Sequence, residues 1–334
     1  MMSFFTLKRL VAVALGALLM AGCQAEPGAK KIPKPDELQK VDKKLNDVSF
    51  NPAVDILFII DDSGSMDTYQ RKLAENSKLF IDQFFKSKFI NFHIGVTTAS
   101  VDIPDSVAGD GKLHLVDGYT YVDRTTADKE IVLAKMLNVG ISGLWQEEFF
   151  SIHQLALSPG MLQGFNQGFY RDAAQLAIFV LTDTEDQSQF SAQSSYDFLL
   201  DLKDQDDTKL HYVAAIIDDG ASCTGEAERP RKIKQMIELH DTRGYQMDLC
   251  KNDYGSDMAQ VAANLVRAVS TIYLEELPDV RTLKVTYGDI VIPNDRDKGW
   301  VYDADLNAIY LSPNIEILDP KPQELSITFE SVYK

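Results

Sequence analysis

No membrane-spanning helix is legible in this chain, because its apolar segment Leu10–Met20 stops well short of the roughly 20 residues a span needs. Basic residues are also scarce: 33 Lys and Arg stand against 50 Asp and Glu, a net charge of −17 in 334 residues. That balance argues against nucleic acid and against electrostatic adhesion to anionic membranes, and is compatible with cations or basic partners. There are five histidines, none followed by glycine, and no Gly-x-Ser-x-Gly elbow. Serine hydrolases of those two designs therefore find no support. His93, His153 and His211 lie in or beside apolar segments, as core or surface residues do.

What is present begins with an export signal. Lys8 and Arg9 precede Leu10–Met20, which ends in the small residues Ala21-Gly22-Cys23, the charged, apolar and small order of a secretory leader. Leu19-Met20-Ala21-Gly22-Cys23 resembles the bacterial lipobox, and the resemblance implies cleavage before Cys23 and lipidation of that cysteine. Residues 1–22 are then signal peptide, and loss of Lys8 and Arg9 makes the mature chain two charges more acidic. Gln24, rather than Asp, follows the cysteine and points to the outer membrane under enterobacterial sorting rules. The expected location is the bacterial cell envelope, with the membrane reached through the N-terminal lipid. Residues 23–50, rich in Lys, Pro and Asp, are expected to be a linker. With Cys23 given to lipid, Cys223 and Cys250 form an even pair in an oxidising compartment. A disulfide is expected there, against the alternative of two buried thiols. Its loop of about 27 residues is worth about 3 kcal/mol in the chain-entropy model.

The rest of the chain is organised around Val54–Asp67. The unbroken run Ile56–Ile60 stops at Asp61-Asp62-Ser63-Gly64-Ser65. A run that is apolar at every position suits a strand buried on both faces of a parallel sheet. The residues after it, Tyr69–Phe85, read as a helix with Leu73, Phe80, Ile81, Phe84 and Phe85 near one face. Two further runs, Leu176–Leu181 and Leu210–Ile217, also end in acidic residues, at Asp183 and at Asp218-Asp219. Asn91–Thr98 reads as another strand and Leu113–Val116 as a short edge strand. Thr126–Val139, with Thr126 as cap, reads as a helix, as do 145–157, 191–202, 229–240 and 256–273. Strands alternating with helices predict an α/β, doubly wound, mostly parallel sheet. From Pro278 onward β-prone segments take over (283–287, 300–302, 308–311 and 325–329), which predicts a small C-terminal β-rich module.

Ligands bind at the C-terminal ends of strands in such sheets. Asp61, Ser63 and Ser65, spaced two apart, can turn three oxygens toward one point, as a hard cation requires. Asp183 becomes their neighbour if the two strands pair. Several carboxylates in one crevice repel unless a cation or a proton offsets them. With no Cys or paired His nearby, oxygen ligands point to Mg²⁺ or Mn²⁺ rather than zinc. Serine and aspartate at a helix start are also ordinary caps, needing no metal.

The same residues carry a family resemblance. Asp61-x-Ser63-x-Ser65 after a buried strand resembles the metal-ion-dependent adhesion site of von Willebrand factor A domains. Gly140-Ile-Ser-Gly143, Asn166-Gln-Gly-Phe-Tyr-Arg-Asp172 and Leu176–Asp183 are similar to bacterial lipoproteins carrying that domain, so the likeness spans roughly residues 50–275. It implies a Rossmann-like fold, with Asp61, Ser63, Ser65 and Asp183 as metal ligands. The family places a threonine in the loop after the middle helices, where Gln146 stands here; Gln146, Glu147 and Glu185 are the residues expected to substitute for it or to support the site. The implied layout is signal peptide 1–22, lipid-anchored linker 23–50, von Willebrand factor A domain 51–275 and β-rich module 276–334. The implied function is non-enzymatic: a lipid-anchored envelope protein that binds an unidentified partner protein, whose acidic side chain completes the metal shell. The alternatives are a structural envelope protein with a vestigial metal site and, less favoured, an extracytoplasmic hydrolase.

Overall fold

The computed structural model describes residues 45–50, 52–101, 109–143, 146–217, 230–251, 254–316 and 324–332. The signal segment, Cys23, Trp145 and Cys223 lie outside the described residues, as does the linker up to residue 44. Lys43–Lys334 form one compact unit. In chain order the strands are β1 (Leu45–Phe50), β2 (Ala53–Ile60), β3 (Asn91–Thr98), β4 (Tyr121–Val122), β5 (Gln175–Leu181), β6 (Leu210–Ile216) and β7 (Gly244–Asp248), then β8 (Thr271–Tyr273), β9 (Lys284–Tyr287), β10 (Ile290–Ile292), β11 (Trp300–Asp303), β12 (Ala308–Leu311) and β13 (Leu325–Glu330). The helices are α1 (Asp67–Lys86), α2 (Lys129–Leu137), α3 (Phe149–Ala156), α4 (Pro159–Leu162), α5 (Ala192–Leu202), α6 (Arg231–Leu239) and α7 (Tyr254–Val269). Among the described residues no helix is long and apolar enough to cross a membrane.

The main sheet runs β4-β3-β2-β5-β6-β7. Strands β3, β2, β5, β6 and β7 are parallel, and only β4 is antiparallel. The unbroken apolar runs have the cause that their composition predicts. Along β2, Val54, Ile56, Phe58 and Ile60 enter the core shared with α1, α2 and α7. Leu57 and Ile59 enter the opposite core, with α3, α5 and α6. Both faces are covered, so both parities are apolar except at Asp55, whose buried carboxylate is paired with Arg171. Phe58 meets Phe80 of α1 edge-on at 5.6 Å and Phe179 of β5 at 4.6 Å between ring centres, which seats α1 directly over the centre of the sheet.

The C-terminal region consists of antiparallel sheets, β1-β13-β9-β10 and β11-β12-β8. Its Val285, Trp300, Ile309, Leu325 and Ile327 belong to the same buried cluster as α1 and α7. Strand β1 falls inside the stretch expected to be linker, where it pairs along its whole length with β13. The predicted helix 256–273 ends at Val269, and Thr271–Tyr273 instead pairs with β12. The edge partner of β3 is Tyr121–Val122, not Leu113–Val116, which is held beside β3 by the bond His114 N to Val96 O, 2.6 Å. Helix α2 starts at Lys129 because Thr126 does not cap it. The Asp123 carboxylate instead accepts from the N–H and hydroxyl of both Thr125 and Thr126, which draws them into a turn. Cys250 is disulfide-bonded.

His153 on α3 is fully buried, and neither ring nitrogen has a hydrogen-bond partner. It stacks on Phe198 at 5.9 Å. Burial, and then the charge of His240, push its pKa down to about 3. An unfolded chain holds this histidine near 6.5. As the pH falls the unfolded state therefore takes up the proton first, and stability is lost from about pH 6.5 down toward 3. His153→Leu removes the unpaired nitrogens and the proton uptake together. It is expected to stabilise the chain by about 1 kcal/mol at neutral pH. The gain should widen by roughly 1.4 kcal/mol per pH unit below about 6.5. Urea midpoints of parent and variant at neutral pH and at about pH 5 check this; a gain that does not widen would mean His153 is solvated in the fold.

Candidate metal centre

Strand β2 leads first to β3 on one side, and the chain returns later as β5 on the other. The strand order therefore reverses between β2 and β5, and a crevice opens at their C-terminal ends. Ile60 is level with Leu181, so Asp61 and Thr182 follow side by side. The bond Asp61 N to Leu181 O, 3.0 Å, extends the ladder by one step. The predicted neighbourhood of Asp61 and Asp183 is thus produced by parallel pairing.

Asp61 is completely buried. Its Oδ1 accepts from Ser63 N at 2.9 Å, and its Oδ2 from the Thr182 hydroxyl at 2.8 Å. Burial, with a smaller contribution from the charge of Asp183, pushes its carboxyl up to about 6 against those bonds. After Asp61 a short 3₁₀ turn, Gly64–Met66, leads into α1. Ser63 occupies the capping position but makes no side-chain cap bond. Its hydroxyl instead lies 3.1 Å from that of Ser65. Capping therefore does not account for these serines, and two adjacent hydroxyls are left beside the Asp61 carboxylate.

Asp62 turns the other way. Its Oδ1 accepts from Ser100 Oγ at 2.7 Å, and its carbonyl accepts from Gly143 N at 2.9 Å. A Cβ on Gly143 would come within 2.4 Å of the Asp62 carboxyl carbon, so only glycine lets this loop approach so closely. Gln70, buried on α1, ties the same loop down: its Nε2 donates to Asp61 O and to Gly140 O, and its Oε1 accepts from Gly140 N.

The residues expected to replace the missing threonine separate in the structure. Gln146 is exposed and donates to Glu148 Oε1 at 2.8 Å, so it does not reach the crevice. Glu147 is 3% exposed and accepts from Gln187 Nε2 at 3.0 Å. Burial first, then Asp61, Asp183 and Asp62, push its carboxyl up to about 8. Glu185 faces elsewhere: its carboxylate accepts from the N–H groups of Arg231 and Lys232 at the start of α6, where the helix dipole favours a negative charge. Asp186, next to it, is paired with Lys232 at 3.1 Å.

No cationic side chain figures among the main influences on Asp61, Asp62 or Glu147. A buried carboxylate beside the paired Ser63 and Ser65 hydroxyls offers the oxygen donors that a hard divalent cation takes. Among the described residues no group of three or more His, Cys, Asp or Glu is arranged to hold a metal; the set here mixes hydroxyls with carboxylates. Ser100, Gln70 and Gln187 were not singled out by sequence reasoning, and Gly143 and Thr182 entered it only within the segments that carry the resemblance. Gln70 left one signal, as a polar residue within the buried stripe Met66, Tyr69, Leu73, Phe80 of the first helix.

No protein-family model matches the chain, and no curated protein does. Among solved structures it is similar to proximal thread matrix protein 1 from the mussel byssus (TM-score 0.39, 13% identity, covering 66% of this chain and 48% of that one). It is also similar to the pilus adhesin SpaC from Lactobacillus rhamnosus GG in its open conformation (TM-score 0.39, 13% identity, 86% and 40%). A third is a von Willebrand factor type A protein from Catenulispora acidiphila (TM-score 0.38, 14% identity, 87% and 65%). The chain thus spans about half the length of the byssus protein. The chain itself has an α/β, mostly parallel sheet with an antiparallel C-terminal region, and its switch point brings Asp61 beside Thr182.

Proposed function

We propose that this chain is a non-enzymatic binding protein of von Willebrand factor A type that captures a partner protein through a divalent cation, Mg²⁺ or Mn²⁺. Asp61, Ser63, Ser65 and Asp183 hold the ion, and the cation supplies an electrophilic position that a donor atom of the partner completes. Lipid at Cys23 anchors the protein to the bacterial envelope, on the outer membrane. The observation that carries this reading is the Ser63–Ser65 hydroxyl pair, free of capping duty beside a buried carboxylate at the switch point.

The test is a thermal melt of the purified chain in EDTA and then with Mg²⁺, Mn²⁺ or Ca²⁺. Linkage predicts a rise with the logarithm of ion concentration, worth about 2.7 kcal/mol at 100 times Kd. Asp61→Ala should lose that response. If no ion moves the melt and Asp61→Ala melts like the parent, the metal-dependent reading is wrong, and a structural envelope protein with a vestigial site remains. Capture of envelope proteins on the immobilised chain, with and without EDTA, then identifies the partner.

A further inference from the structure

We propose that a cavity between α7 and the β11–β12 hairpin binds a small, soluble phosphate monoester that carries a short apolar group. The site is separate from the metal crevice and independent of the metal-binding reading. Helix α1 begins just after the acidic turn and ends at Lys86 on this cavity, about 30 Å further along the helix. The cavity measures about 760 Å³, within the range that small-molecule sites occupy. One wall is α7, through Ala263, Val266 and Arg267. Another is the hairpin, where Val301 and Tyr310 are cross-strand partners and so share a face.

Charge sets this cavity apart. In a chain of net charge −17, Lys86 from α1, Arg267 from α7 and Arg296 from the loop between β10 and β11 meet at one place. All three are exposed, and none is held in an ion pair among the described residues. The one acid in the lining, Asp303, is committed to its own turn: its Oδ1 accepts from Asp305 N at 2.9 Å and from Leu306 N at 3.1 Å. A neighbouring cavity of about 750 Å³ shares Arg267 and Tyr310, but its other Lys and Arg are neutralised. Lys209 is paired with Asp206 at 3.4 Å and Arg243 with Asp207 at 2.8 Å. A helix dipole favours a cation in the last turn, which accounts for Lys86 and Arg267. It does not account for Arg296, which is on no helix.

Two guanidiniums and an ammonium are complementary to an oxyanion, and a guanidinium presents paired N–H donors that match phosphate oxygens. A phosphate monoester carries about −1.5 to −2 charges at neutral pH, so three cations suit it better than they suit a carboxylate. The Ala263, Val266 and Val301 side chains and the Tyr310 ring give the rest of the ligand an apolar surface to cover.

Calorimetric titration of the purified chain with hexyl phosphate tests this, in EDTA so that no phosphate is held through a divalent ion. The parent should bind hexyl phosphate, and bind inorganic phosphate and hexanoate about tenfold more weakly. Arg267→Gln combined with Arg296→Gln should weaken hexyl phosphate about tenfold or more, and Lys86→Gln alone about threefold. Lys135→Gln combined with Arg281→Gln removes as much charge from exposed ion pairs elsewhere and should bind like the parent. All of these are surface changes, and urea midpoints equal to the parent's show that the fold is kept. If the parent does not bind hexyl phosphate, or the arginine and lysine variants bind it as the parent does, the site falls. If inorganic phosphate binds as tightly, the apolar half of the assignment falls; if hexanoate does, the phosphate half falls. Vesicles containing phosphatidic acid should not capture the chain. Capture that the double arginine variant abolishes would assign the cavity to a lipid headgroup and overturn the soluble ligand.

Discussion

Asp55→Ala is expected to destabilise the fold by about 3–5 kcal/mol, the cost of leaving a buried charge without its partner. Asp55 lies on β2 with its side chain completely buried. Arg171 grips it from the loop before β5: its Nε donates to Oδ1 at 2.8 Å, and its backbone N–H to Oδ2 at 2.7 Å. The same guanidinium also donates to Val54 O at 3.0 Å. Lys203 Nζ closes the knot from the end of α5 by donating to Arg171 O at 3.0 Å, with its ammonium over the Tyr170 ring. Burial pushes the Asp55 carboxyl up to about 6 despite Arg171, so the unfolding comparison belongs at about pH 7.5, where the pair is charged. Removing the carboxylate leaves a cation among backbone carbonyls. Removing both charges, as Asp55→Ala with Arg171→Met, should recover much of the loss. Urea melts of the two variants decide it: a single-variant loss below about 1 kcal/mol would place the pair among solvated ones.

Gln70→Leu should cost about 2–4 kcal/mol, although leucine fills nearly the same space. Gln70 is 1% exposed and serves three backbone groups: Asp61 O at 2.8 Å, Gly140 O at 2.9 Å and Gly140 N at 3.1 Å. Each buried backbone group left unpaired costs about 1–3 kcal/mol, and water reaches part of this loop, which sets the sum below the maximum. The damage is aimed at the site. Gln70 joins α1 to the acidic turn and to the 140–143 loop, whose Gly143 N–H in turn holds the Asp62 carbonyl. The expected signature is therefore a lower melting point together with a weaker response to Mn²⁺. A variant that melts within about 0.5 kcal/mol of the parent would show that the loop does not depend on this side chain.

Much of this architecture can be read from the chain. Three apolar runs ending in acid, at Asp61, Asp183 and Asp218, place buried parallel strands, because a strand covered on both faces is apolar at almost every position and admits a polar residue only with a partner, as Asp55 has in Arg171. The elements that escape are edges. Of β7, only Met247 is buried, while Tyr245 and Gln246 are exposed. A strand so lightly covered carries little hydrophobic pattern and is defined by its pairing with β6. Strand β1 is similar, a polar stretch made into a strand by β13 at the far end of the chain.

The sequence alone determined the strand ends, the Asp61-x-Ser63-x-Ser65 turn and the acidic partner Asp183, because hydrophobic runs and short-range spacing are local properties. It also exposed the missing threonine. Only the tertiary structure decided which of the residues at that point of the chain is buried. The alignment puts Gln146 at the threonine position; backbone bonds to Ala99 on one side and Gln187 on the other set the register, burying Glu147 and leaving Gln146 exposed. A register fixed by contacts from two distant loops has no local signature, because the side chain that points in is chosen by partners that meet only when the sheet is assembled.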